Sequence, residues 1–260
     1  MTNKHSLGRR GILGGAAAVG GALLVGSCNR LAQNAAWHSL LDSAEALTLG
    51  SQRALLSPAT LAREYSEVDL SPVFKANGST DPDDSGYRKA AETGFVDWRL
   101  EIGGLVERPA KFSLAELRAL PSRTQITRHN CVEGWSCIGK WKGVPLGEML
   151  RQVGLKPDAK FIVFHCADAL EPSPDGSGQY YESIDLVDAF HPQTILAYDM
   201  NDQPLPIKHG APLRVRVERQ LGYKMAKYIM RIEAVDSFAA IKGGRGGYWE
   251  DRGYEWYAGI

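Results

Sequence analysis

The chain has 260 residues, of which 44% are hydrophobic and 23% charged, and this composition is that of an ordinary globular protein. Its 30 basic residues balance its 30 acidic residues, so it lacks the excess positive charge of a nucleic-acid-binding protein. A chain of this length can form one large domain or two modest ones with a sizeable core.

The N-terminal segment, residues 1–27, differs in composition from the rest of the chain. It carries Arg9 and Arg10 but no acidic residue, and a run of small and apolar residues extends from Gly11 to Val25. Such a run is short for a membrane span and is typical of an export signal. The string GRRGIL resembles a twin-arginine signal, and VGSC, which ends at Cys28, resembles a lipoprotein cleavage site. We therefore expect twin-arginine export to the periplasm or the outer face of the cytoplasmic membrane, with lipidation of Cys28 or ordinary cleavage as alternatives.

Residues 28–74 are predicted to form a helical N-terminal arm, and residues 75–260 the main domain. The helical pattern extends from Trp37 to about Ser66, with a break at Ser57-Pro58.

From Phe95 onward, predicted strands alternate with short helices. The strands are expected at residues 95–105, 122–131, 159–168, 211–219 and 227–235. Helices are expected after Ser113, which begins a capping box, from Pro145 to a stop at Gly154, and near residues 183–192. In the fourth strand, Arg214 and Arg216 alternate with apolar residues and are predicted to face outward. The pattern indicates an α+β fold with mixed sheets rather than a regular βαβ wind.

The string HNCVEGWSC, residues 129–137, places two of the four cysteines around a polar turn. One interpretation is a disulfide that joins Cys137 to Cys131 or to Cys166, which an exported protein would tolerate. A second is a zinc site formed by Cys131, Cys137, His129 and His165, although its spacing is wider than structural zinc sites use. A third is a thiolate that binds a redox metal whose other ligands come from a cofactor.

The strings CVEGWS and WKGVPLGEML, which begin at Cys131 and Trp141, resemble the molybdopterin-binding domain of the sulfite oxidase family. They are most similar to its bacterial branch of protein-methionine-sulfoxide reductases. Residues 191–215 and 221–233 resemble the pterin-binding segment of the family in the same order, and the resemblance extends from about Phe74 to the C terminus. It implies a sulfite-oxidase-type fold of mixed β-sheets and short helices, a molybdenum-molybdopterin cofactor and two-electron oxygen-atom transfer.

The resemblance also implies roles for individual residues. By its position in CVEGWS, Cys131 is the implied molybdenum ligand. The implied cofactor contacts are Asn77, Cys166, His209, Arg214, Gly222, Tyr223 and Lys224, with Cys166 standing where the reductase branch has a threonine. His129 and either Tyr180 or Tyr181 are candidates for the substrate pocket, where the Tyr180 hydroxyl would donate a hydrogen bond to the oxygen in transfer. Taken singly, these histidines and cations could equally be ordinary loop or surface residues.

Several features favour reduction of a sulfoxide or similar oxo compound. Sulfite-oxidising relatives carry arginines shortly after the metal-binding cysteine, whereas only Lys140 is basic between Cys131 and Trp141 here. The chain has no haem or iron–sulfur motif, so a separate haem- or quinone-linked protein is expected to exchange electrons with it. The family's dimerisation extension is not seen, which predicts a monomer. The alternatives are a sulfite-oxidising dehydrogenase of the same family, a cofactor-free binding lipoprotein and a zinc hydrolase.

Overall fold

A computed structural model describes the backbone of residues 35–260 and the side chains from Ser43 onward. The twin-arginine string and Cys28 therefore lie outside the described residues. The contacts divide the chain into two units, residues 1–54 and 55–260. The described part of the first unit belongs to helix α1, Ala35–Leu55. No helix within the described residues is both long enough and apolar enough to cross a bilayer.

The second unit is built from strands linked by turns and short helices. The strands are β1 (Arg99–Gly104), β2 (Ala110–Ser113), β3 (Arg123–Asn130), β4 (Ser136–Pro145), β5 (Phe161–Ala169), β6 (Gln179–Asp185), β7 (Ile195–Met200), β8 (Gln203–Pro204), β9 (Arg214–Arg216) and β10 (Ile229–Val235). The helices are α2 (Ser85–Glu92), α3 (Leu114–Ala119), α4 (Leu146–Val153) and α5 (Leu186–Ala189). Single 3₁₀ turns lie at Glu67–Asp69, Ile207–His209, Gly222–Lys224 and Glu250–Arg252.

The strands form two five-stranded sheets. The first has the order β2-β1-β10-β5-β6, in which β1 and β10 are parallel and the other neighbours antiparallel. In the second, β3, β4, β7 and β8 follow one another, and β9 pairs with β7. The main hydrophobic core contains residues of both sheets, for example Leu100 and Ile162 of the first and Val144 and Leu196 of the second. This mixed architecture confirms the predicted α+β class with mixed sheets and short helices.

Most local predictions are confirmed by the structure. The Ser113 hydroxyl accepts a hydrogen bond from the Glu116 backbone N–H at 3.1 Å, and the Ser113 N–H donates to the Glu116 carboxylate at 2.7 Å, which is the predicted capping box of α3. Helix α4 ends at Gly154, whose φ of 71° favours glycine, and it begins one residue after Pro145.

The predicted helical pattern is wrong between Ser57 and Ser66. Helix α1 ends at Leu55 because Pro58 has no backbone N–H and disfavours helical geometry in the residue before it. The following chain is irregular and forms a β-bridge between Glu64 and Thr127 of β3. Residues 56–74 therefore contribute to the second unit as an edge segment rather than as a helix.

A candidate active site at the turn between β3 and β4

Cys131 is the first residue after β3, in the connection from β3 to β4. The Cys131 N–H donates to the Trp135 carbonyl at 2.9 Å, and the Gly134 N–H donates to the Cys131 carbonyl at 3.0 Å. Gly134 adopts a φ of 84°, so a glycine suits the position better than any other residue. The paired strands on both sides fix this turn and hold the Cys131 thiol at one place on the surface of the unit.

A cavity of about 140 Å³ opens beside the Cys131 thiol. It is enclosed by the turn that carries Cys131 and by four other parts of the chain: the loop at Asn77 and Gly78, the ends of β5 and β6, the segment after β9, and the C-terminal segment. Of the residues that the sequence analysis predicted for the site, five line this cavity: Asn77, Cys131, Tyr180, Gly222 and Tyr223. The fold thus brings five of the ten predicted residues to one cavity, although they are up to 146 positions apart in the chain.

Three further predicted residues, His129, His209 and Arg214, lie buried next to this cavity without lining it. A Cβ atom on Gly222, which lines the cavity, would lie 2.3 Å from the His129 ring. Arg214 and His209 are joined by a hydrogen bond of 2.9 Å from the guanidinium to the His209 carbonyl.

The prediction that Arg214 and Arg216 face outward is wrong, because both side chains are fully buried. Their guanidinium carbons lie 5.0 and 4.4 Å from the ring centre of Trp141. Strand β9 is covered on both faces, so its alternation of charged and apolar residues does not correspond to solvent and core. Arg216 is neutralised by Glu218, with a nitrogen–oxygen distance of 2.8 Å.

Lys227, which the sequence analysis did not select, lies at the cavity wall and is 5% exposed. Its ammonium donates to the carbonyl oxygens of Asn77, at 2.6 Å, and Ser79. Burial, together with the nearby charge of Arg214, lowers the pKa of Lys227 to about 7. Because the motif LGYKMAK has two lysines three positions apart, only the fold distinguishes the one that reaches the cavity.

Two buried cations, Arg214 and Lys227, form what we call the cationic cluster, and the His129 and His209 rings are buried beside it. Burial lowers the pKa of both histidines, and the neighbouring cations lower them further. The Arg214 guanidinium donates to carbonyl oxygens of His209 and Met225, while its Nε atom and the Nε2 atom of His129 have no partner. Buried cations without carboxylate partners are costly, and an anionic group bound there would offset the cost. The donor set therefore fits a phosphate-bearing, polar cofactor with a soft thiolate ligand from Cys131.

We expect inorganic phosphate to stabilise the cofactor-free protein through this cluster. At a phosphate concentration about ten times its dissociation constant, linkage raises the free energy of unfolding by about 1.4 kcal/mol. The stabilisation should fall to less than about half in Lys227→Met and remain in Lys142→Met, since Lys142 is exposed. It should also weaken as the pH rises through about 7, because the Lys227 ammonium then loses its proton. Urea unfolding with and without phosphate, at matched ionic strength, measures the effect; equal stabilisation of the two variants would contradict it.

Two predicted cofactor contacts lie elsewhere in the structure. The Lys224 ammonium is fully buried and lies 2.5 Å from a carboxylate oxygen of Glu182 and 2.5 Å from one of Glu250. Cys166 is part of the main core, and burial raises the pKa of its thiol well above the usual value. Neither side chain lines the cavity beside Cys131.

Tyr180 lines the cavity, whereas Tyr181 on the opposite face of β6 donates to Asp251 at 2.7 Å. The Tyr180 hydroxyl donates to the Tyr223 carbonyl at 2.5 Å, so its single proton is engaged with the turn that carries Gly222. Burial raises the Tyr180 pKa well above its usual value, which keeps the phenol neutral. In this arrangement Tyr180 positions the turn, and a donor role toward substrate would require release of that bond.

Asp168 at the end of β5 is a second cavity residue that the sequence analysis did not select. One carboxylate oxygen accepts a hydrogen bond from the Ser79 hydroxyl at 2.8 Å, and the other is buried without a partner. Burial raises the Asp168 pKa to about 6. The string FHCAD, read as a buried strand, offered no signal that its aspartate would reach a cavity.

The close approach of Gly222 and His129 leads to a second prediction. Since the backbone at Gly222 is not left-handed, the space taken by the His129 ring is the reason for glycine there. Gly222→Ala should displace the ring and destabilise the protein by about 1–3 kcal/mol, which is typical of overpacking. Gly103→Ala is the control, because a Cβ there meets no atom within 4 Å. Thermal unfolding of both variants measures the difference, and equal stability would show that the His129 ring moves without cost.

The structure does not support the disulfide and zinc interpretations. The cysteines among the described residues, Cys131, Cys137 and Cys166, are free. Cys137 accepts a weak hydrogen bond from the Lys75 N–H at 3.5 Å and packs in the smaller core cluster with Trp141. No three His, Cys, Asp or Glu side chains of the described part of the chain converge as a metal site.

Comparison with known proteins agrees with the predicted family. Residues 89–240 match the family described as oxidoreductase molybdopterin binding domain. A protein from Azospira oryzae, provisionally named protein-methionine-sulfoxide reductase subunit YedZ1, is 38% identical over 251 residues, which cover 96% of this chain and 87% of that protein. The protein-methionine-sulfoxide reductase catalytic subunit MsrP from Xanthomonas axonopodis is 37% identical over 155 residues, 57% of this chain and 48% of that one. The matched region thus spans about half the length of that relative.

Among solved structures, the sulfane dehydrogenase SoxCD from Paracoccus pantotrophus superimposes with a TM-score of 0.48 and 25% identity, over 55% of this chain and 39% of that chain. The match to the family model over residues 89–240 and the similarity to YedZ1 over nearly the whole chain agree with the motifs around Cys131. This chain therefore belongs to the sulfite oxidase family of molybdopterin-binding oxidoreductases.

Proposed function

We propose that this enzyme reduces sulfoxides, with methionine sulfoxide as the substrate class, at a molybdenum-molybdopterin cofactor bound through Cys131. When bound, the cofactor supplies two-electron oxygen-atom transfer at molybdenum. The observation that carries the proposal is the free Cys131 thiol at a cavity wall beside Arg214 and Lys227, two buried cations that form no ion pair within the described residues. The relatives YedZ1 and MsrP carry the name methionine-sulfoxide reductase, which supports this substrate class.

Cys131 is well placed to serve as the protein ligand. It follows a strand that is paired along its length, so the position of its sulfur is determined by the hairpin. Burial raises the pKa of its thiol, and cofactor binding must therefore displace a proton from it. The cationic cluster would hold the cofactor's phosphate, with Lys227 and Arg214 as the donors and Asn77 and Gly222 as neighbouring contacts.

The charges in the cavity favour a neutral substrate over sulfite. Glu133 and Asp168 both line it, and Lys227 is its only lining cation among the described residues. If the cofactor phosphate pairs with the Lys227 ammonium, a sulfite dianion would lie near two carboxylates with no cation left to pair with it. Such repulsion costs free energy in a partly buried site. A sulfoxide carries no net charge and avoids this cost.

Localisation and partners are part of the same proposal. Export by the twin-arginine route is supported by Arg9 and Arg10 before the apolar run, and a lipid anchor would be carried by Cys28. The word subunit in the names of both relatives supports a separate protein that delivers electrons, since the chain contains no haem-attachment motif.

The test uses protein purified from a host that makes molybdopterin. We expect about one molybdenum per chain, since one cysteine ligand serves one cofactor. With a reduced dye as electron donor, the loaded enzyme should convert N-acetylmethionine sulfoxide to N-acetylmethionine, and it should not oxidise sulfite with a dye acceptor. Molybdenum binding with sulfite oxidation alone would reject the reductase proposal. A folded protein without molybdenum would reject the cofactor as well.

A further inference from the structure

The C-terminal segment, residues 245–260, forms one wall of the cavity. Trp249 and Tyr254 of this segment line the cavity together with Tyr223. The rings of Trp249 and Tyr254 are stacked, with centroids 5.2 Å apart and an angle of 27° between their planes. Tyr254 meets Tyr223 edge to face at 5.3 Å. We call these three residues the aromatic wall.

The aromatic wall is held firmly although it lies near the end of the chain. The Tyr223 hydroxyl donates to the Glu255 carbonyl at 2.7 Å, and the Leu221 N–H donates to the Ala258 carbonyl at 2.9 Å. Glu250, next to Trp249, is anchored by the buried Lys224 ammonium. These bonds fix the segment before and after Tyr254 in the chain, so its rings are pre-organised for a ligand.

The chemistry of the aromatic wall is distinct from that of the rest of the cavity. The charged lining residues Glu133, Asp168 and Lys227 belong to other parts of the chain. Aromatic rings attract sulfur atoms, and their negative faces attract the weakly positive methyl groups bound to a sulfoxide sulfur. Those negative ring faces do not attract an inorganic oxyanion such as sulfite.

The opening of the cavity decides what can reach its aromatic wall. Tyr254 is 36% exposed and Val132, which also lines the cavity, is 47% exposed, so the cavity communicates with solvent.

We infer that Trp249, Tyr254 and Tyr223 bind the S-alkyl group of the substrate and thereby select a solvent-accessible methionine sulfoxide side chain. This inference rests on the proposed sulfoxide reductase function and identifies the residues that determine its specificity. The C-terminal string GYWEDRGYEWYAGI, residues 247–260, thus has a binding role.

The test measures binding without turnover, using N-acetylmethionine sulfone, which has the alkyl groups of the substrate, and the molybdenum-loaded enzyme. Isothermal titration should show that Trp249→Ala and Tyr254→Ala each weaken binding about threefold to tenfold, since each removes one aromatic face. Trp249→Phe should restore most of the affinity. Trp256→Phe is the matched control, because Trp256 belongs to the same segment but stacks on Phe238 outside the cavity. All variants should keep the molybdenum content of the wild type.

The outcomes separate this inference from the proposed function. Unchanged affinity in both alanine variants, or no binding of the sulfone by the wild type, would overturn the aromatic wall as a binding site. Because Tyr254 is partly exposed, Tyr254→Ala still decides the matter if Trp249→Ala fails to fold. Sulfone binding that depends on Trp249, without reduction of the sulfoxide, would leave the aromatic wall in place and reject the reductase. Sulfoxide reduction with an unaltered KM in the alanine variants would support the reductase and overturn the aromatic wall as a binding site.

Discussion

Replacing Cys131 by serine should abolish oxygen-atom transfer while leaving the fold intact. Cys131 is the only cysteine among the described residues that line the cavity, and a serine hydroxyl is a poor ligand for a soft-ligand metal site at neutral pH. Loss of residues that merely support a metal ligand already costs about 10- to 100-fold in activity or affinity, so loss of the ligand should cost at least about a hundredfold in kcat. Molybdenum analysis and steady-state sulfoxide reduction measure the two effects.

Cys137→Ser is the matched control for this experiment. Cys137 belongs to the same hairpin and lies opposite His129 in the register of β3 and β4, yet its sulfur is buried in the smaller core cluster. Its replacement should lower stability by about 1 kcal/mol, as for a modest change in a core, and should retain molybdenum and most of the activity. Equal loss of activity in both variants would mean that the hairpin fold, rather than a sulfur ligand, is what the site requires.

Replacing Lys224 by methionine should have the largest effect on stability. Its ammonium is fully buried between Glu182 and Glu250, which are themselves buried, so the substitution leaves two carboxyl groups without their cation. Removal of one partner from a buried ion pair typically costs about 3–5 kcal/mol. The loss should also loosen the C-terminal segment, because Glu250 belongs to it. Urea unfolding followed by far-UV circular dichroism measures the change.

The pH dependence identifies the cause of this destabilisation. Burial raises the pKa of Glu182 well above its usual value, so the folded protein binds a proton that the unfolded chain releases. Stability from such a group is present at low pH and is lost as the pH rises. The Lys224 charge lowers this pKa, so Lys224→Met raises it further and the variant loses more stability than the wild type as the pH rises. The deficit should therefore be smaller at about pH 5 than at about pH 8. Lys111→Met is the control: its ion pair with Glu101 is exposed, so the change should cost less than about 1 kcal/mol at either pH. A deficit that is independent of pH would point to lost packing instead.

The motif around Cys131 and the order of the pterin-binding segments were enough to predict the family and the position of the cysteine at the end of β3. Local elements such as the capped helix α3 were also predictable, because a capping box needs only residues three positions apart. The orientation of Arg214 and Arg216 was not predictable from the sequence. Alternation along a strand indicates two different faces only when one face meets solvent, and β9 is buried on both.

The two lysines of LGYKMAK show most clearly what could not be predicted from the sequence. Nothing in their neighbours distinguishes Lys224, which neutralises Glu182 and Glu250, from Lys227, which reaches the cavity. The carboxylates that pair with Lys224 are at least 26 positions away in the chain. The Ser79 carbonyl that accepts a hydrogen bond from Lys227 is 148 positions away. Asp168, Trp249 and Tyr254 escaped the sequence analysis for the same reason.

The amino-acid sequence by itself determined the helix caps, five of the ten strands of the described residues and the family, and it selected Cys131 as the candidate metal ligand, since all of these depend on short-range patterns. The tertiary structure alone decided which cations are paired, which are buried without an opposite charge and which aromatic residues enclose the cavity. The physical reason is that the free energy of a buried charge or ring depends on the groups packed around it. In this chain those groups are contributed by elements far apart in sequence.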